Sequence, residues 1–284
     1  MKFMKKLACA AAVAMTMAGG ANAATVLNNW VFNPVGGGFS SGQKVNEYLD
    51  VNGNAFIQIN PTGGSSFSFK ENAVFNIVQA DGKGKLFPVN FPGGNITATF
   101  EAAGTGNFSG AFTFSGGTIR MYQNPTFEYG STAGYFGADQ GNQIAEFTVM
   151  AGGGGMVNAN GSPTNNGQVT VFAKADAGSL DAGYFFRENG QDLSTESIMA
   201  FAFTNANTIA QPDAVLVDEV ACQYAGFTGA GCNGGTYANT PGYFFVGNNG
   251  QFKLAEVPEP GSLALFGIAM LGAGVVSRKR AKKA

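Results

Sequence analysis

The chain has 284 residues and a formal charge of −2, from 16 Lys+Arg against 18 Asp+Glu, and it contains no histidine. The missing histidine excludes a Ser-His-Asp or Cys-His arrangement and the usual zinc sites. Residues 24–257 hold 8 Lys+Arg against 17 Asp+Glu, so the body between the two basic ends is near −9 and disfavours nucleic-acid or phosphate partners.

At the N-terminus, Met1 to Lys6 supplies three lysines and Leu7 to Ala18 is a small-residue apolar stretch. Ala21-Asn22-Ala23 then reads as an Ala-x-Ala site, so signal peptidase is expected to cut between Ala23 and Ala24. Residues 1–23 are therefore a signal peptide and the protein is exported. Cys9 is discarded with it.

Residues 24–256 read as an extracellular all-β body, an antiparallel sandwich or jelly-roll-like fold rich in Gly and Asn. Period-two alternation marks Ala55–Ile59, Phe67–Lys70, Asn95–Phe100, Phe112–Ser115 and Gln168–Phe172 as strands. Turn signals fall at Asn52-Gly53-Asn54, Pro61–Gly64, Asp81–Gly84, Pro92–Asn95 and Gly116-Gly117. Only Leu193 to Phe203 carries a trace of helical period, so helix is expected to be minor. Gly152–Gly155 with Asn158–Gly167 is low in complexity and buries little, which suits a loop inside one domain or a linker between two.

Candidate chemistry in the body is sparse. Glu101, Glu128 and Glu146 are the carboxylates that a glycoside hydrolase could use, but each lies on or beside a strand-like segment where a solvent-facing Glu is ordinary. Asp176, Asp181, Glu188 and Asp192 form one acidic cluster, and Asp213, Asp218 and Glu219 another. Neither matches a known calcium loop, so solvated turns are expected and no metal site is assigned. Tyr184-Phe185-Phe186 and Tyr243-Phe244-Phe245 are paired aromatic triplets, each after Gly, that read as buried strand ends; exposed, they would favour self-association. Cys222 and Cys232, ten positions apart in an exported chain, read as a local disulfide.

The C-terminus is the most specific segment. Val257-Pro258-Glu259-Pro260 is followed by an uncharged run from Gly261 to Val276 and then by Arg278-Lys279-Arg280-Ala281-Lys282-Lys283. As a helix that run reaches only ~24 Å, short of a ~30 Å bilayer core, and the cations behind it hold the end on the cytoplasmic side. A short transmembrane helix over these residues is a weak anchor, with a rigid, accessible hinge at the two prolines. Residues 257–284 in this order resemble the PEP-CTERM sorting signal.

With Phe67-Ser68-Phe69-Lys70-Glu71, Phe75 and the Tyr-Phe-Phe segments, the body is also similar to the flocculation-associated PEP-CTERM proteins of exopolysaccharide-producing Gram-negative bacteria. That resemblance implies processing by an exosortase at Val257, Pro258, Glu259 and Pro260. It further implies transient anchoring in the inner membrane and release to the cell surface or extracellular matrix. The implied role is non-enzymatic, without cofactor, in flocculation or biofilm formation with exopolysaccharide or a cell-surface glycan. The alternative is a secreted carbohydrate-binding or polysaccharide-hydrolysing protein that uses the same route.

Overall fold

Alternation of apolar and polar residues at period two carries most of this chain into strands, and the longer strands form one antiparallel system that closes on itself. The structure, a computed structural model, describes residues 25–82, 85–86, 95–164 and 166–257. In chain order the strands are β1 (Trp30–Phe32), β2 (Gln43–Val45), β3 (Tyr48–Gly63), β4 (Ser66–Gly82), β5 (Lys85–Leu86), β6 (Asn95–Asn107) and β7 (Ala111–Asn124). There follow β8 (Asn142–Val149), β9 (Gly152–Met156), β10 (Gly167–Ala175), β11 (Phe185–Phe186), β12 (Ile198–Thr208) and β13 (Tyr243–Glu256). Helix α1 (Ala214–Leu216) runs on into a π-helical stretch, Val217–Tyr224. The all-β, antiparallel expectation holds.

Eight positions make the barrel wall: β3, β4, β6, β7, β8, β10, β12 and β13 are neighbours in that order, and β13 returns to β3. Chain order and spatial order coincide, so this is an up-and-down meander whose edges are paired rather than exposed. β9 continues the position of β8, pairing β7 on one side and β10 on the other. The β10–β12 pairing spans Gly167↔Ala206 to Ala175↔Ile198 and completes the ring. Residues Val26–Ala255 cluster as one compact unit. In the second unit, of which Thr25, Glu256 and Val257 are described, the Glu256 amide donates to the Thr25 carbonyl at 2.9 Å.

The inward face of the barrel is aromatic. Phe69, Phe100, Phe112 and Phe114 meet edge to face with ring centroids 5.4–5.8 Å apart, the arrangement that ring quadrupoles favour. A second, three-stranded sheet, β11-β1-β2, brings Trp30, Phe32 and Phe185 into the same core. The outward face of β3, β4 and β13 has its own cover. There Phe56, Val74 and Phe245 pack under Leu216, Val217, Val220 and Ala221 of the helical segment. The Asp213 carboxylate caps that helix by accepting from the Leu216 amide at 2.8 Å.

Several local expectations are corrected. Asn52-Gly53-Asn54 is not a turn but the middle of β3, where a Cβ on Gly53 would sit 2.2 Å from the Val74 carbonyl oxygen. The glycine is there for close strand approach, not for reversal. Gly116-Gly117 likewise lies within β7. Gly152–Gly155 belongs to β9 rather than to a loop: Gly154 has φ +101°, and a Cβ there would meet the Phe112 carbonyl oxygen at 1.9 Å. A run of glycines thus forms a strand because only glycine fits this bulged backbone between two partners. Leu193 to Phe203 is a 3₁₀ turn (Leu193–Thr195) followed by β12, while the helix lies further on, at Ala214–Tyr224.

Candidate functional site

Three features of the body bear on function: its C-terminal exit, its disulfide-braced outer cover, and the polar groups inside and outside the barrel wall. The exit is rigid. β13 pairs with β3 from Tyr243↔Gln58 to Lys253↔Tyr48, a bridge joins Val26 to Ala255, and the Leu27 amide donates to the Leu254 carbonyl at 2.8 Å. The chain is therefore held in the barrel wall through Ala255. Val257 is the last described residue and is partly exposed.

Cys222 and Cys232 form a disulfide with Cα atoms 5.4 Å apart. It ties the end of the helical segment to the following irregular stretch, whose Phe227 and Tyr237 lie on Phe56 with centroids 5.1 and 6.4 Å away. Phe244 and Phe245 alternate across β13, the first in the barrel core and the second in this outer cluster. Tyr184, Phe185 and Phe186 are buried as well. Phe185, Phe186, Phe244 and Phe245 are thus buried in strands, Tyr184 is buried beside β11, and Tyr243 is half-buried at the start of β13, close to the buried strand ends expected.

Outside the wall, Lys70, Asn72, Glu101, Ser115, Thr118 and Arg120 line a groove of about 500 Å³ across β4, β6 and β7. Arg120 Nε donates to Glu146 Oε2 at 2.9 Å at one side of it. The groove offers donors and acceptors from neighbouring strands, with charges of both signs, and suits a hydroxyl-rich ligand.

Inside the wall, two adjoining lobes of about 60 and 30 Å³ share Glu71, Val169 and Asn248. Glu71 is 8 % exposed, and among the described residues it has no hydrogen-bond or ion-pair partner. Its burial pushes the carboxyl up to about 7. Asn248 Oδ1 accepts from Thr204 Oγ1 at 3.5 Å. Among the described residues, Glu71 is the only titratable group lining either lobe; the remaining lining is Val, Ile, Phe, Ala, Met, Thr, Asn, Pro and Gly.

With this geometry in hand, the comparison with known proteins is decided at the tail: residues 256–280 match the family model of the PEP-CTERM protein-sorting motif. The chain carries a PEP-CTERM protein-sorting motif. The motif implies export, sorting to the cell surface and processing by an exosortase. Neither a curated protein nor a solved structure matches the chain.

The sorting residues of this PEP-CTERM protein divide at the end of β13. Val257 is the last of the described residues, whereas Pro258, Glu259, Pro260 and the short helix expected over 261–276 lie outside them, as do Ala23 and Ala24. The carboxylates raised as acid-base candidates have ordinary surroundings: Glu146 pairs with Arg120, Glu128 Oε2 accepts from Asn124 at 2.7 Å, and Glu101 is exposed at the groove. The acidic clusters do not converge either. Asp176 pairs with Lys174 and Glu188 with Lys44, while Asp192 accepts from the Gly183 and Ser194 amides. Asp213 is the helix cap. Among the described residues no three His, Cys, Asp or Glu come together as a metal would require.

Sequence reasoning passed over Glu71. The signal was present in the phase of its strand: Phe67, Phe69, Glu71 and Ala73 share one parity, and the Phe residues fix that parity as inward.

Proposed function

We propose that this PEP-CTERM protein is a non-catalytic component of the cell surface or extracellular matrix that takes part in flocculation or biofilm formation with exopolysaccharide. The observation that carries the reading is the sorting motif joined without a spacer to the last strand of a closed barrel. Such a body, with its strand edges paired inside the barrel, is a self-contained unit for display outside the cell. The polar groove around Lys70, Glu101 and Arg120 is the surface best suited to sugar hydroxyls. With a body near −9, its contacts to an anionic polymer are hydrogen bonds rather than net charge attraction.

The non-catalytic part of the reading is supported by the histidine-free sequence and by the ordinary surroundings of Glu128 and Glu146. Deleting the gene in a strain whose exopolysaccharide is intact, then scoring floc formation, tests the role. Loss of flocs, restored by the wild-type gene, is the expected outcome; normal flocs refute it. Incubating the secreted protein with the producer's exopolysaccharide separates the alternative, because release of reducing sugars means hydrolysis and co-sedimentation without release means binding.

A further inference from the structure

Eight strands enclose an interior that is either filled by its own side chains or holds one small ligand. Here the filling is incomplete where β4, β10, β12 and β13 face each other. The larger lobe is bounded by Ala98 and Ala202 among bulkier neighbours, and these short side chains leave its volume open. At about 60 and 30 Å³ the lobes exceed the ~10–15 Å³ that one water needs, and their walls are almost entirely carbon. A water molecule is held by two to four polar partners. Among the described residues the only polar side chains here are Glu71, Thr204 and Asn248, and Thr204 already donates to Asn248.

Glu71 is the exception that gives the space its chemistry. A carboxylate buried in an apolar wall, with no counter-ion among the described residues, is destabilising in its charged form, and a bound cation would relieve that cost. From these observations we infer that the barrel interior binds a small apolar amine, a short alkyl group on a protonated nitrogen, with Glu71 as its counter-ion and Asn248 as a second acceptor. The apolar lobes on either side of Glu71 take the carbon skeleton. The charge complement is specific: the site has one acid and no base, so an amine fits, a neutral alcohol fits less well, and a carboxylate does not.

The choice among head groups is tested with three probes of one chain length, propylamine, 1-propanol and propanoate, short enough for lobes of about 60 and 30 Å³, titrated at pH 7.5 into the secreted, processed protein by calorimetry. Propylamine is expected to bind one to one, and about tenfold or more tightly than propanol, which corresponds to ~1.4 kcal/mol; propanoate is expected not to bind. Glu71→Gln keeps the shape, removes the charge and should abolish the preference for the amine. Ala98→Leu fills the larger lobe and should abolish binding of both amine and alcohol while leaving Glu71 in place. A ¹³C NMR titration of the Glu71 carboxyl should move to lower pH when propylamine is bound. Saturable binding by none of the probes, meaning an interior that takes water alone, overturns the inference. So does equal binding of amine and alcohol that Glu71→Gln leaves unchanged.

Discussion

Replacing Glu71 by Gln should stabilise the protein at neutral and alkaline pH and leave it little changed in acid. Burial raises the carboxyl from an ordinary 4.5 to about 7 in the folded state. Between those two values the native state keeps a proton that the unfolded chain has released, so stability falls as pH rises through this window. Below about 4.5 both states are protonated and the carboxyl imposes no penalty; above about 7 both are ionised and the penalty is complete. At 1.36 kcal/mol per pKa unit, the full penalty is ~3 kcal/mol.

The effect is local to one group. Lys70, its neighbour on β4, points outward, and the residues paired with Glu71 on β3 and β6 are Ile57 and Ala102, neither of which titrates. Glu219 also has a raised pKa, from burial and from Asp218 and Asp139, so wild type retains other pH dependence; the difference between wild type and Glu71→Gln isolates Glu71. Urea unfolding of the disulfide-intact secreted protein at half-unit steps from pH 4 to 8.5 measures it. The expected result is two curves that converge near pH 4 and separate by ~3 kcal/mol above pH 7. Parallel curves over the whole range would refute a buried, unpaired carboxylate.

Three further outcomes are expected. Substituting both Cys222 and Cys232 by Ser should lower stability by ~2–3 kcal/mol through the loss of a short loop closure, with the barrel intact by circular dichroism; a native-state thiol assay that labels both cysteines in wild type would show the bridge absent. Phe56→Ala removes a fully buried ring that Phe227, Tyr237, Tyr243 and Phe245 surround. It should cost ~3–5 kcal/mol and make residues 225–242 the first site of proteolysis, which mass spectrometry of the fragments checks. Changing Pro258, Glu259 and Pro260 together to Ala should hold the protein in the inner-membrane fraction by the apolar run behind them, and normal release in a fractionation assay would count against sorting at these residues.

What could be read from the sequence were properties carried by consecutive residues. Pro258-Glu259-Pro260, the short apolar run and the basic end specify their route by composition and order, with no need of a partner elsewhere in the chain. The all-β class follows equally locally, since alternation at Phe67–Lys70 or Gln168–Phe172 is a statement about the two faces of a single strand. Cys222 and Cys232 are close enough in sequence that their pairing needed only the oxidising destination.

What only the tertiary structure decided were questions of what lies across from what. Alternation says that a strand has an inside but not whether the sheet closes, and closure depends on β12 reaching both β10 and β13. Gly53 and Gly154 look like turn residues in sequence; they are strand residues because backbone oxygens of neighbouring strands occupy the space a Cβ would need. Residues 214–224 form a helix over the outer face of β3, β4 and β13, which makes Val74 and Phe245 core on a side that alternation alone assigns to solvent. Glu71 lay in the sequence with its phase in plain view beside Phe67 and Phe69. Its lack of a partner is a property of the seven other strands that surround it, and no single strand could reveal that.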